Sequence, residues 1–429
     1  MRIWTASTIS IFGSLITRLA LPFLAIIVLD AGAIEVALLR SVDLVATLAV
    51  GLVAGAWVDR LRRRRVLIWS DLGRAILLGS IPVAAVGGWL SYAQLIVVTT
   101  AAAVLTSFFD AADNAYLPTI VERDRLVQAN SALAASGSAA EFTAFGISGF
   151  LVQLLSAPIA VALDAVSFLV SAVLIGGIKA EEAKPPTRAE RTSVLAEIRV
   201  GVRLVVRDPV LRSFAGAQMA LAALWGVFGA TWLLFAIDEL ELGPAAVGVI
   251  AGLGGLGSLM GALVAERATR RWGIGRVAIG AMLLAAFGNL LIPLAPAGAP
   301  FIAALFLVGQ QLIGDSSVTV YDVTETSVRQ TMVRDRELGR VASTFRVGAG
   351  LAQLVATVGA GVLAEAIGLR ATAFLAPIGG LIGAAILFAS PVRRLVRLPT
   401  APPQEEGLSD MARAADVVVG VGRDEPIGG

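Results

Sequence analysis

Apolar residues in this chain come in long blocks and do not alternate with polar ones. Twelve blocks can be read, at about 3–29, 37–58, 66–89, 93–117, 130–155, 157–178, 211–237, 244–265, 276–294, 301–325, 341–365 and 370–390. Each approaches or exceeds the roughly 20 residues that carry an α-helix across a bilayer. Glycine or proline interrupts most of them, as at Leu21-Pro22, Ile81-Pro82, Leu117-Pro118 and Ile292-Pro293. Neighbouring helices can satisfy the backbone groups such breaks release. The first block carries Arg18 in its interior, which a secretory leader would exclude, so it reads as a span. The pattern predicts an all-α membrane protein of twelve transmembrane helices.

Composition narrows this further. Of 429 residues, 57% are apolar and 15% charged, and mean hydropathy is +0.83, which excludes an ordinary soluble enzyme. Cysteine and histidine are both absent. Disulfides, thiolate nucleophiles, imidazole relays and His/Cys metal sites are therefore excluded, and no cofactor is expected. Any proton moved through the chain must ride on carboxylates. The net charge of +2 gives no reason to expect a nucleic-acid partner.

The basic residues have a strong side preference. With the N-terminus placed inside and the connections alternating, the inner segments hold 27 Lys and Arg. The outer ones hold only Arg40 and Arg370, beside Asp30, Glu35, Asp238, Glu239, Glu241 and Glu365. This asymmetry predicts a multi-pass cell-membrane protein of bacterial inner-membrane type with both termini cytoplasmic. The longest polar connection divides the chain into a six-helix unit (1–178), a linker (179–210), a second six-helix unit (211–390) and a mobile tail (391–429). Within the linker, Leu195, Ile198, Val202 and Val205 form one helical stripe, and Arg199, Arg203 and Arg207 another. A surface helix with its basic face toward lipid phosphates is expected there.

The two units repeat. Thr119-Ile-Val-Glu-Arg-Asp-Arg-Leu126 corresponds to Thr331-Met-Val-Arg-Asp-Arg-Glu-Leu338 at an offset of 212, which also places Asp110 on Asp322 and Ser131 on Ser343. Gly51 and Gly55 match Gly257 and Gly261 at an offset of 206. Duplicated bundles have a pseudo-two-fold interface, where alternating-access transporters place their binding site.

These features resemble the major facilitator superfamily. The stretch Gly55-Ala-Trp-Val-Asp59-Arg60-Leu-Arg-Arg63-Arg64 looks like that superfamily's motif between helices two and three, although Arg62 stands where a glycine is usual. Further stretches resemble a branch that includes macrolide efflux proteins and enterobactin exporters. They are Arg18-Leu-Ala-Leu-Pro22, Phe108-Phe-Asp-Ala-Ala-Asp113, Leu117-Pro118, Gln128-Ala-Asn130, Asp164-Ala-Val-Ser-Phe168, Arg207-Asp-Pro-Val-Leu211, Ser327-Val-Arg-Gln330 and Leu338-Gly-Arg-Val341. The resemblance covers about residues 5–395. It implies two pseudo-symmetric six-helix bundles, acting as a monomer, that export an amphipathic small molecule (a drug, macrolide or siderophore-like compound) against inward protons.

Charges inside the spans each need an account, because burying one costs about 2.5–3.5 kcal/mol on insertion scales. Arg18 reads either as a cavity charge or as an ion-pair partner of Glu141 in span five. Glu141 is the first candidate to carry the coupled proton, the alternative being a permanent salt bridge. Asp315, in a polar run of span ten, is the second. Asp110 and Asp113 share one face of span four. One of them is expected to meet Arg63 or Arg64, joining Gly55, Asp59 and Arg60 in a gating charge network. Asp322 and Glu325, their repeat partners, are expected to meet Arg270 or Arg271. Asp71 and Arg74 read as a local pair, and Asp43, Asp164 and Arg346 stay open. Trp225, Phe228 and Trp232 read as packing or as one wall of a cavity.

A proton-coupled exporter is the leading reading. The alternative within transport is a facilitator, importer or flippase of a lipid or metabolite. An enzyme would gather its acids and bases at one depth, whereas both lysines lie in the linker and the acids are dispersed.

Overall fold

The computed structural model describes residues 2–58, 61–120, 140, 143–177 and 194–398. Its described residues are almost entirely helical. The first group comprises α1 (Arg2–Phe23), α2 (Ala33–Val58), α3 (Arg63–Gly87), α4 (Tyr92–Ile120), α5 (Thr143–Leu155) and α6 (Ala157–Gly176). A short helix, α7 (Val194–Arg207), precedes the second group. That group comprises α8 (Pro209–Leu234), α9 (Pro244–Trp272), α10 (Ile274–Leu294), α11 (Pro300–Gln310), α12 (Ser316–Met332), α13 (Asp335–Ile367), α14 (Leu369–Ala373) and α15 (Ala376–Ala389). Wider π-turns extend α1 (Leu24–Val28), extend α8 (Phe235–Glu239) and join α11 to α12 (Gln311–Asp315).

Ten helical segments among the described residues are long and apolar enough to cross a membrane. The 26-residue α2 and the shorter apolar α5 stand outside that ten. Several helices outrun their apolar blocks at the arginine-rich end. Helix α9 continues through Arg267, Arg270 and Arg271, and α12 through Arg329, all of which the apolar pattern leaves in connections. A helix satisfies its own backbone and has no reason to stop where hydrocarbon ends, and arginines in its last turn complement its dipole. Arg40 is a second correction: it lies inside α2, not in a connection.

Helices α1–α6 (the N-half) pack mainly on one another through α1/α6, α3/α6, α2/α4 and α3/α4. Helices α8–α15 (the C-half) pack through α8/α13, α8/α15, α10/α15 and α9/α12. The halves meet along α2/α13 and α2/α8, and where α5 touches α9. Helix α7 docks on α13, with Val205 buried and Gly201 so close to the Arg340 carbonyl that a methyl there would lie 2.5 Å from it. Its buried edge is narrower than the predicted stripe, because Val202 is exposed beside Arg199, Arg203 and Arg207. Residues 179–193 and the tail from 399 fall outside the described residues.

Candidate functional site

The seam between the halves is built twice, by residues at a nearly constant separation along the chain. On α5, Gly149 lies against the Pro244 carbonyl and Gly248 of α9, and a methyl on Gly149 would sit 2.8 Å from the Gly248 Cα. On α13, Gly361 lies against Ala33 and Ala37 of α2, where a methyl would sit 2.5 Å from the Ala37 Cβ. Gly149 and Gly361 are 212 residues apart, and Ala37 and Gly248 are 211 apart. One turn further along, the same elements exchange hydrogen bonds. The Ala245 N–H donates to Gln153 Oε1 at 3.0 Å, and the Ile34 N–H donates to Glu365 Oε1 at 3.3 Å. Gln153 and Glu365 are again 212 residues apart. Each satisfies an orphan donor at the N-terminus of a helix in the opposite half.

The two ends of the molecule are therefore packed differently. At the end bearing Asp30, Glu239 and Glu365, one apolar core draws on both halves, joining Leu19, Phe23 and Leu24 to Trp232, Phe235 and Leu307. At the arginine-rich end, Val58, Leu67, Phe109, Tyr116 and Ile175 form a core from the N-half alone. The core of the C-half takes only Ala37 from across the seam. Among the described residues, packing joins the halves at the acidic end, whereas the cores toward the basic end remain separate.

Inside the N-half, Arg74 of α3 is nearly fully buried and donates to Asp71 Oδ1 at 2.5 Å. Its guanidinium lies between the rings of Phe109 and Phe168, 4.4 and 4.1 Å from their centroids. Two aromatic faces replace part of the hydration such a cation gives up. Arg74 also acts on Asp110 of α4 and Asp164 of α6. Asp164 is buried, accepts from Ser167 Oγ at 3.0 Å, and packs on Gly13 of α1. The i,i+3 spacing exposes the Asp71–Arg74 pair in the sequence, but nothing local brings in Asp164.

The residues expected in the gating network make several contacts among the described residues. Arg64 donates to the carbonyls of Ile175 and Gly176, capping the C-terminus of α6. Asp110 faces Arg74 electrostatically, and Asp113 feels Asp110 and Asp71. Arg63 opens α3 and Gly55 lies in the closing part of α2. Asp59, Arg60 and Glu141 fall outside the described residues, so the Arg18–Glu141 pairing is not described. In the C-half, Glu325 pairs with Arg329 one turn along its own helix, at 3.0 Å. Arg329 in turn covers the Phe345 ring, and Asp322 is bonded by Gln218 of α8. Arg270 meets Glu266 at an exposed 3.6 Å, and Arg271 lies over Trp272. Because α9 continues as helix, Arg270 is held one turn from Glu266, which supplies its partner.

Toward the midline, Arg18 of α1 is exposed and shares a field with Arg40 and Asp43 of α2. Asp315 closes the π-turn of span ten against Gly254 of α9, where a methyl would overlap its carboxylate and lie 2.6 Å from Gln311 Nε2. Gly257 presses on the backbone of the same turn at Gln311, and Gly261 on Ser316, the first residue of α12. Trp225, Phe228 and Trp232 form a ladder on α8, with centroids 5.1 and 5.5 Å apart. Trp232 is buried in the shared core, and Phe228, half-buried, packs against that core. At the acidic end Arg370 binds Glu239 at 3.0 Å and the carbonyls of Pro293 and Ala295 at 2.8 Å.

Helices in two groups, a glycine-lined seam between them and charges within apolar spans describe a polytopic membrane protein. The Major Facilitator Superfamily signature matches residues 3–331, and the chain belongs to that family. It is 29% identical over 378 residues to the multidrug efflux pump Tap of Mycolicibacterium fortuitum, covering 85% of this chain and 88% of Tap. It is 26% identical over 380 residues to the uncharacterised MFS-type transporter YfiS of Bacillus subtilis, covering 86% and 87%. Among solved structures, a bacterial homologue of the iron transporter ferroportin matches in its inward-facing state with a TM-score of 0.73 at 18% identity, covering 90% of this chain and 97% of that one. The outward-facing state of a bacterial ferroportin homologue matches at 0.59 and 16% identity, covering 90% and 98%. The protein is a multi-pass membrane transporter with the fold of that superfamily.

Proposed function

We propose that this transporter exports amphipathic small molecules in exchange for inward-moving protons, by alternating access between residues 1–178 and 211–390. The observation that carries the alternating part is the inequality of the two ends. A core shared by both halves, with glycine contacts repeated at offsets of 211 and 212, supports closure at the acidic end. Separate cores support a passage from the basic, cytoplasmic end. A state open to the cytoplasm is the one that loads cargo for export, and the likeness to Tap supports a broad amphipathic cargo.

Protons enter through carboxylates, since the chain has no histidine. Glu141 and Asp315 are assigned the coupling role, with Arg18 as the cavity cation that discriminates their charged and neutral forms. Asp110, Asp113, Asp322 and Glu325, with the arginines of the loop after α2, bias which end is closed. The test is dye efflux from everted vesicles with ethidium as the probe. Collapsing the pH gradient should stop transport, and Glu141→Gln should uncouple it while the protein still folds. Undiminished transport without a gradient would refute the proton part.

A further inference from the structure

Asp164 of α6 is a buried acid that the ion pairs of the N-half leave over. It is 1% exposed, and α1 lies directly on its carboxyl. A methyl on Gly13 would overlap both Asp164 Oδ1 and the Ser167 hydroxyl. Ser167 Oγ donates to that Oδ1 at 3.0 Å, and Thr17 of α1 turns its hydroxyl toward the group. Oδ2 has no partner. An ionised carboxyl offers about four acceptor sites, so this setting meets only part of what the charged form needs.

The cation beside it is committed elsewhere. Arg74 gives its hydrogen bonds to Asp71 Oδ1 at 2.5 Å and to Thr106 Oγ1 at 3.4 Å, and its faces to Phe109 and Phe168. Phe168 and Ser171 follow Asp164 by four and seven residues. One face of α6 therefore presents the acid, a ring against Arg74 and a hydroxyl toward Asp71. The other charged groups around Arg74 and Asp164 are Asp71 of α3 and Asp110 of α4, both acids. From α1 come Gly13 and Thr17, whereas Arg18, next in sequence, acts on Arg40 and Asp43 of α2.

Asp71 and Asp164 are thus two fully buried carboxyls served by one guanidinium. With both ionised, one negative charge would stand uncompensated in the interior, and a buried carboxylate in that position takes a proton instead. The short bond to Arg74 keeps Asp71 charged, so the proton falls to Asp164. The face of α1 that holds Gly13 and Thr17 also carries Ser7 and Ser10, both buried. Hydroxyls therefore line that face from the arginine-rich end, where Ala6 packs, to the acid.

We propose that Asp164 is a proton-binding site, holding one exchangeable proton while α1 covers it and releasing the proton when that cover lifts. The neutral acid needs no ion pair and lets Gly13 close on it. The charged form calls for water or a second cation, which α1 excludes. The site is additional to Glu141 and Asp315. Its use in exchange rests on the proton-coupled reading, but its occupancy does not.

The test is infrared difference spectroscopy of the full-length chain in nanodiscs, with ¹³C-labelled aspartate marking the aspartic acid carbonyls. We expect a protonated-carboxyl band at neutral pH that shifts with the label and in D₂O, and fades reversibly as pH rises. Asp164→Asn should remove that band and melt no lower than the native chain, because asparagine copies the neutral acid's shape and charge. Gly13→Ala must lift α1 from the carboxyl, so its band should fade at lower pH than the native one. The exposed Glu266→Gln should change nothing. A band absent from the native chain, undiminished in Asp164→Asn, or unmoved by D₂O and pH would overturn the proposal. An Asp164→Asn chain that fails to fold at neutral pH would do the same, since an ionised Asp164 predicts that result. Dye efflux indifferent to the pH gradient, with the Asp164 band intact, would count against the exchange reading alone.

Discussion

The duplicated glycine seam makes a quantitative demand on Gly149→Ala. With the acidic end closed, the added methyl lies 2.8 Å from the Gly248 Cα and 3.0 Å from the Gly248 nitrogen, and presses on the Pro244 carbonyl. Carbon pairs prefer about 3.5–4.0 Å, so α5 and α9 must separate by several tenths of an ångström or more. The atoms that must yield are backbone, so no side-chain rotation relieves the overlap. Overpacking of this kind costs about 1–3 kcal/mol. Only the closed state bears that cost, while the helix-propensity gain of alanine, about 0.5–1 kcal/mol, is common to both states and cancels. The ratio of open to closed acidic ends should therefore rise about 5- to 150-fold. The native chain has no cysteine, so spin labels at Ser91→Cys and Ala297→Cys report cleanly. These exposed positions lie in the connections before α4 and before α11, one in each half. Electron–electron distance measurements in nanodiscs should show the longer-distance population grow by that factor. A distribution unchanged within about twofold would refute the idea that this contact holds the end shut.

Other expectations follow from the same contacts. Glu365→Ala and Gln153→Ala each remove one helix-end hydrogen bond between the halves, costing the closed state about 0.5–2 kcal/mol, and the same labels should shift in the same direction. Arg74→Leu leaves Asp71 buried without its cation and should destabilise the fold by about 3–5 kcal/mol in detergent thermal unfolding. The double variant Asp71→Leu/Arg74→Leu should recover most of that loss, since the pair's desolvation cost vanishes with it. Arg270→Ala, whose pairing with Glu266 is solvent-exposed, should leave the melting curve within about 0.5 kcal/mol of native, whereas Arg329→Leu should not.

Much of the candidate site could be read from residue spacing, and the rest fails for one reason. Asp71 with Arg74, and Asp110 with Asp113, share helix faces by arithmetic, so their neighbourhood was foreseeable. Arg64 was offered, with Arg63, as a partner for Asp110 or Asp113; it caps α6, whose end, 111 residues further along the chain, is invisible from the loop motif itself. Arg270 was assigned to span ten, but continuation of α9 through the basic segment supplied a nearer acid on its own helix. Gln153 and Glu365 carry no local signal of function. Aligning the two units at an offset of 212 over their whole length, beyond the two loops, would have paired them.

What the sequence determined by itself is whatever each residue decides through its own transfer from water to lipid. That includes the apolar blocks, the strong bias of arginine toward one end, the duplication and hence the family. Tertiary structure decided which helix faces meet. It set two glycine contacts against the opposite half and drew Asp164 from α6 toward Arg74 on α3. It also widened span ten into a π-turn beside buried amides whose oxygens lack protein partners. Lipid imposes one-dimensional rules on a chain, whereas close packing and buried hydrogen bonding depend on atoms far apart in sequence, and only the folded molecule brings those together.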